Sequence, residues 1–363
     1  MQQTKISPAQ VASLLIMAVL STSMLSAPNF AFREAGRDMW ISAILSPAFG
    51  FIILFTVVAL HRIFPGRNLI QYSVNILGAP VSKALGLLFL FNALLLNGSQ
   101  TRQFIDFMSL SYFTRTPSIV FTLSITLVAA LAIRSGVEII SRIAGLLAPI
   151  SIFIVLIIIL PLTYSIDLER LMPVMEHGFR PIGRGAMALN LWFSMFVYLT
   201  FFLPHVTSNK GMLRWGSISV TTAALCFIFS FIYTLGIMGS ALKAFTYPFM
   251  VISRYTQAFE FLAHLDSLVM LFWVIDVFLR VCMTYYCVVV GFAHLFGLRD
   301  HVPLILPVGV IVTLFTYWSY PNTIVFASSG SLVAVSYTIF NFIYPLILLA
   351  AAKLRGFAAQ SSN

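Results

Sequence analysis

Residues 11–32 read VASLLIMAVLSTSMLSAPNFAF, a run with no charged side chain. Crossing about 30 Å of hydrocarbon takes roughly 20 such residues as one α-helix. The run keeps its apolar character past Ser26-Ala27 to Phe32, and further runs follow it, so it reads as an uncleaved first helix rather than a signal peptide.

Charged residues punctuate the rest of the chain in the same way. Asp38 to His61, Lys83 to Arg102, Arg115 to Arg134, Arg142 to Asp167, Arg184 to His205 and Arg214 to Lys243 each bracket one apolar run. Ser267 to Phe292 is another, interrupted by Asp276 and Arg280. His301 to Lys353 is long enough for two helices, split by turn signals at Tyr320-Pro321-Asn322 and Ser328-Ser329-Gly330-Ser331. The sum is ten helices, and the absence of period-2 alternation argues against a β-barrel. Composition agrees: 60% of the 363 residues are hydrophobic and 9% are charged. A soluble fold of this size needs far more polar side chains to cover its surface. The chain is therefore expected to be an all-α polytopic membrane protein, folded as a single integral membrane domain over residues 1–363.

The net charge of +10 does not point to nucleic acid, because the basic residues sit between apolar spans and no basic patch is interleaved with aromatics. They read as anchors near anionic lipid. Alternate loops differ only weakly in Lys and Arg. An even helix number puts both ends on one side, taken as the cytoplasm. Cys226, Cys282 and Cys287 lie in apolar stretches without a CxxC pair and read as small buried hydrophobes. The segment 163–184 reads as an ordered external loop. In 247–266, Ser253, Gln257, Glu260 and His264 recur opposite Phe249, Ile252, Phe259 and Leu262, as in a helix lying in the membrane interface.

Enzyme signatures are missing. The six histidines lack metal-ligand spacing, and there is no GxSxG, P-loop or dinucleotide fingerprint, so neither catalysis nor a cofactor is expected. Polar groups inside the spans are more informative. Ser21-Thr22-Ser23, with Ser26, Pro28 and Asn29, weakens the first helix. A kinked packing helix and an unwound ligand site both fit, and the position favours the second. The sixth helix carries Asn190, Ser194 and Tyr198 on one face, then Pro204. Interrupted helices at matching positions of two halves point to a midplane site. The third helix carries Asn97, Gly98, Ser99, Gln100 and Thr101, which suit either a cavity or helix–helix bonding. Trp192, Trp215 and Trp273 read as packing or interface aromatics. Asp276 and Arg280 lie four residues apart on one face, either as a mutually satisfied pair or as a pair lining a pathway where ligand or proton changes its partners.

Several stretches carry a resemblance. Lys5-Ile6-Ser7-Pro8 with Gln10 opens the chain, and Arg33-Glu34-Ala35-Gly36-Arg37-Asp38 leads to Trp40-Ile41-Ser42. Thr116-Pro117 precedes the fourth helix. Tyr247-Pro248 and Phe261-Leu262 through Leu265-Asp266 to Trp273 follow. In order and spacing these resemble the spore germination permease family of the amino acid–polyamine–organocation superfamily. The resemblance implies a LeuT-type fold of two inverted five-helix repeats, about 9–163 and 185–353, separated by the external loop at about 164–184. It implies a subunit in the spore inner membrane that recognises an amino acid or similar nutrient, beside an A-type subunit and a lipoprotein C-type subunit; a proton-coupled permease is the alternative. Carried over by position, the ligand-binding candidates are Ser21, Thr22, Ser23, Asn97, Ser194, Tyr198, Asp276 and Thr284, with Asp276 and Arg280 as coupling residues. The superfamily has glycines at the first-helix break, where this chain has Ser-Thr-Ser.

Overall fold

The computed structural model describes residues 6–207, 209–255, 265–320 and 330–357. Helix α1 spans Pro8–Ala35. Its start follows from a capping box: Gln10 N donates to Ser7 Oγ at 3.2 Å, and Ser7 N donates to the Gln10 side chain at 2.9 Å. Its end follows from Gly36, whose φ of 57° suits a residue without Cβ. A short 3₁₀ turn over Gly36–Asp38 then turns the chain into α2 (Met39–Leu45) and α3 (Pro47–Ile63). The stretch quoted for the family resemblance is thus a corner, and it holds the segment around 172–175: Arg37 donates to Met172 O, and Met175 N donates to Asp38 Oδ1, each at 2.8 Å.

A second capping box, Asn68 with Gln71, opens the short α4 (Leu69–Leu77). Then come α5 (Ala79–Ser111), α6 (Ser118–Arg134) and α7 (Val137–Leu162). The expected loop 163–184 is shorter than read, because α8 already begins within it and spans Phe179–Phe193. The chain continues as 3₁₀ turns over Ser194–Phe201 and Leu203–His205. Next are α9 (Asn209–Met238), α10 (Pro248–Tyr255), α11 (Leu265–Leu295) and α12 (Ile305–Trp318). The last elements are α13 (Gly330–Tyr337), a π-helical turn over Thr338–Ile343, and α14 (Tyr344–Leu354). Among the described residues no strand forms; Ile6 and Val206 make one isolated parallel bridge. Of the expected interfacial helix, only Pro248–Tyr255 is described; Gln257, Glu260 and His264 lie outside the described residues.

Among the described residues, six stretches are long and apolar enough to cross a membrane, one of them the 56-residue Pro8–Ile63 that bends at Gly36. Exposed Leu123, Leu127 and Leu131 on α6, and Leu306, Val310 and Leu314 on α12, recur every four residues. Such apolar stripes facing outward suit a lipid surface. At the centre, α1 is packed by α7, α8, α9 and α11, and α11 also by α5 and α6.

Backbones come close where α5 meets α12. A Cβ added at Gly98 would lie 2.6 Å from the carbonyl carbon of Phe315 and 2.7 Å from its oxygen, so backbone, not a flexible side chain, would have to move. Small residues permit such approach in membrane bundles. Gly98→Ala is expected to cost about 1–3 kcal/mol, the range for overpacking. The thermal unfolding midpoint of the purified chain checks it; an unchanged midpoint would mean that the two helices separate freely.

Candidate functional site

The centre of the bundle differs from the sequence reading in one main respect. Helix α1 does not unwind at Ser21-Thr22-Ser23 but stays α-helical throughout. The physical reason lies in the hydroxyls. Ser21 Oγ donates to Ala18 O at 3.1 Å, Ser23 Oγ to Leu20 O at 3.3 Å and Ser26 Oγ to Thr22 O at 3.0 Å. Each folds back onto its own helix, the usual refuge of Ser in an apolar medium. The side chains of Ser21, Thr22, Ser23 and Ser26 are all buried between neighbouring helices, away from solvent that would compete for the backbone.

The irregular element is instead the one after α8. Ser194–Phe201, SMFVYLTF, is rich in β-branched and aromatic residues of modest helix propensity, and Pro204 follows. Pro204 lacks an N–H, so the turn before it has lost a helical donor. An eight-residue 3₁₀ run inside a bundle is unusually long and typical of a hinge. It also breaks the single face expected for Asn190, Ser194 and Tyr198, because the residue period changes at Ser194. Asn190, still on α8, donates to Thr338 Oγ1 at 3.0 Å.

Thr22 is where three elements meet. Its Oγ1 accepts from Trp192 Nε1 on α8 at 3.0 Å and from Arg280 Nη1 on α11. Ser21 Oγ lies 3.5 Å from the same Arg280 nitrogen. Arg280 is 2% exposed, and its Nε is buried with no partner among the described residues. The hydroxyls of Tyr198 on the 3₁₀ segment and Tyr337 on α13 lie within its electrostatic reach.

Asp276 and Arg280 share a face of α11 but are not a mutually satisfied pair: among the described residues no ion pair joins them. Asp276 Oδ1 instead accepts from Ser151 Oγ of α7 at 2.9 Å. Helix spacing places two residues on one side but does not choose their partners, and here α7 offers a hydroxyl to one and α1 to the other.

A second polar group lies one turn along. Asn97 Nδ2 of α5 donates to Thr284 Oγ1 at 2.6 Å and Val281 O at 3.0 Å. Thr284 Oγ1 lies 3.1 Å from Arg280 O. The Asn97 side chain thus serves helix–helix bonding, while its Oδ1 and the neighbouring Gln100 Nε2 are buried without partners among the described residues. Of the expected site residues, the structure brings together Ser21, Thr22, Tyr198 and Arg280, with Asn97 and Thr284 beside them and Asp276 one turn away. Ser23 turns back onto α1. Ser194 is buried, with no partner for its hydroxyl among the described residues. Ser151 and Tyr337 were missed, since nothing in their sequence neighbourhood distinguishes them; Trp192 packs as expected but also reaches into this polar group.

At the end of the bundle that carries the N-terminus, the chain is closed by backbone. Ile6 N donates to His205 O at 2.9 Å and Thr207 N to Ile6 O at 3.0 Å, while Tyr286 OH lies 3.1 Å from His205 Nε2. The segment before α1, the end of the 3₁₀ run and α11 are thereby joined. A groove of about 1020 Å³ runs elsewhere, along Leu45, Phe49, Phe179, Met187, Val335 and Ile343; its wall is almost wholly apolar and does not reach Arg280.

Known proteins agree with this architecture. The sequence model of a family described as "Spore germination protein" matches residues 5–324. Spore germination protein KB of Bacillus subtilis is 24% identical over 97% of this chain and 95% of its own length. Spore germination protein A2 of the same organism is 24% identical over 97% of both chains. Among solved structures, MhsT in complex with L-phenylalanine superposes with a TM-score of 0.74 at 10% identity, covering 97% of this chain and 90% of that one. Mhp1, a nucleobase-cation-symport-1 family transporter, superposes with a TM-score of 0.66 at 12% identity, covering 99% and 95%. At such identities the likeness concerns the fold, which is of the LeuT type.

Proposed function

The chain belongs to the spore germination permease family, the B-type subunits of germinant receptors, and from that premise we propose that it senses an amino acid at the polar junction of α1, α5, α11 and the 3₁₀ segment. The observation that carries this is a set of buried hydrogen-bonding groups around Arg280, some of them without a partner among the described residues, at the centre of an otherwise apolar membrane bundle. In such a medium these groups are costly unless they serve a ligand or a pathway. The role is non-enzymatic: binding at the junction changes the packing of the 3₁₀ segment against α1 and α11, and that change is the signal. MhsT, which shares the fold, has been solved in complex with L-phenylalanine, consistent with an amino-acid ligand.

In this reading the chain crosses the spore inner membrane ten times as two inverted halves, about 9–163 and 185–353, with both ends in the cytoplasm. An A-type subunit and a lipoprotein C-type subunit complete the receptor. Spores lacking this chain are expected to lose their response to at least one amino acid, read as loss of refractility, while responding normally to nutrients of other receptors. An unchanged response to every amino acid would overturn the proposal. Uptake of labelled amino acid by vesicles holding the chain alone would favour the permease alternative.

A further inference from the structure

We propose that the groove between the ends of α3, α9 and α14 seats an anionic phospholipid, with its phosphate on Arg62 and Lys353 and the start of its acyl chains along the apolar wall. The pattern is built into two helices. Phe55, Val58, Ala59 and Arg62 recur at helical spacing on α3, and Leu349 and Lys353 do so on α14. Each stripe is apolar until its last turn and ends on a cation. The chain then folds back at Gly356, whose φ is 75°. Gly356 N donates to Lys353 O and Phe357 N to Ala352 O, each at 3.1 Å. Phe357 thereby packs on Phe64, with ring centroids 5.2 Å apart, and completes the wall with Leu213 of α9.

The groove has a volume of about 380 Å³, within the range of small-ligand pockets. Two cations from different helices line it, and no acid does. Among the described residues neither Arg62 nor Lys353 makes an ion pair. A long basic side chain at a helix end commonly reaches the interface by itself. Here two converge on one hollow, the arrangement that holds anionic headgroups between membrane helices. The apolar wall favours a lipid over a soluble anion, because acyl chains cover it and a free phosphate would leave it bare. The groove lies at the end of the bundle that carries the N-terminus: a Cβ added at Gly211 on α9 would lie 3.4 Å from Pro8 Cγ. Helix α3 packs on α9, α14 and the 3₁₀ run Ser194–Phe201, so a lipid held there braces the helix on which that run rests. None of the groove residues belongs to the junction around Arg280.

The test uses the purified full chain in detergent, titrated with phosphatidylglycerol and with phosphatidylcholine of the same acyl chains, and native mass spectrometry counts the bound lipid. Phosphatidylglycerol is expected to bind at least about tenfold more tightly, and Arg62→Gln with Lys353→Gln should remove that preference, as the loss of two interfacial cations. Lys83→Gln with Arg134→Gln changes two exposed cations outside the groove, at the same end of the bundle, and should leave the preference intact. The wild-type comparison of the two lipids stands whether or not the variants fold. Equal binding of the two lipids overturns the proposal. So does an equal loss in both double variants, the mark of diffuse attraction to the basic end. Displacement of the lipid by an equal concentration of glycerol phosphate would assign the groove to a soluble anion. A dimer that dissociates in the Arg62→Gln, Lys353→Gln variant and ignores lipid would assign it to a second copy of the chain. Either result overturns the lipid site.

Discussion

Replacing Thr22 with valine is expected to lower the stability of the chain by about 2–4 kcal/mol. The two side chains have nearly the same shape, so packing is preserved and the change isolates one oxygen. That oxygen accepts from Trp192 and from Arg280. Removing it leaves two buried donors without an acceptor, one of them charged, and each costs about 1–3 kcal/mol. Partners available in the unfolded, membrane-inserted state reduce the sum. Ser21, 3.5 Å from Arg280, is too distant to replace Thr22 without movement. Thr22→Ser keeps the oxygen and should cost under about 1 kcal/mol. Thermal unfolding of the three proteins in the same detergent separates the cases; equal midpoints for threonine and valine would show that Thr22 does not hold the three elements together.

The double change Asp276→Asn with Arg280→Gln is expected to leave protein level near that of the parent chain and to abolish the nutrient response. Four-residue spacing on a helix suggests a mutual pair, and breaking a buried ion pair by one substitution costs about 3–5 kcal/mol. Here the partners differ. In Asp276→Asn, Ser151 can still donate to the amide oxygen, so that single change should cost about 1 kcal/mol or less. A loss of 3 kcal/mol or more would mean that Asp276 and Arg280 pair directly. The double variant carries no buried charge at either position and should insert readily. Normal germination in spores carrying it would show that neither side chain takes part in sensing.

The sequence by itself determined the membrane class, the order of the spans and several of their ends. Charges outside, apolar runs inside and a minimum helix length are local requirements: Arg134 marks the end of α6 and Lys83 lies in the first turns of α5 without reference to any other part of the chain, whereas Arg184 falls inside α8. Ser7 with Gln10 and Asn68 with Gln71 likewise announce helix starts, because a capping box is closed within four residues. Gly36 announces the corner for the same reason.

Tertiary structure decided which helix breaks and which polar groups meet. Ser21-Thr22-Ser23 has the composition of a weak point, yet α1 is enclosed by α7, α8, α9 and α11, and its serines bond inward to the helix. The 3₁₀ run at Ser194–Phe201 has less polar composition but adapts to Phe89, whose ring lies 5.9 Å from that of Tyr198 and 6.3 Å from that of Phe201. Arg280 finds Thr22 across 258 residues of chain, and Asp276 finds Ser151 across 125. A helical period fixes the direction in which a side chain leaves its own helix. What it meets there depends on how three helices are brought together, and no local pattern encodes that.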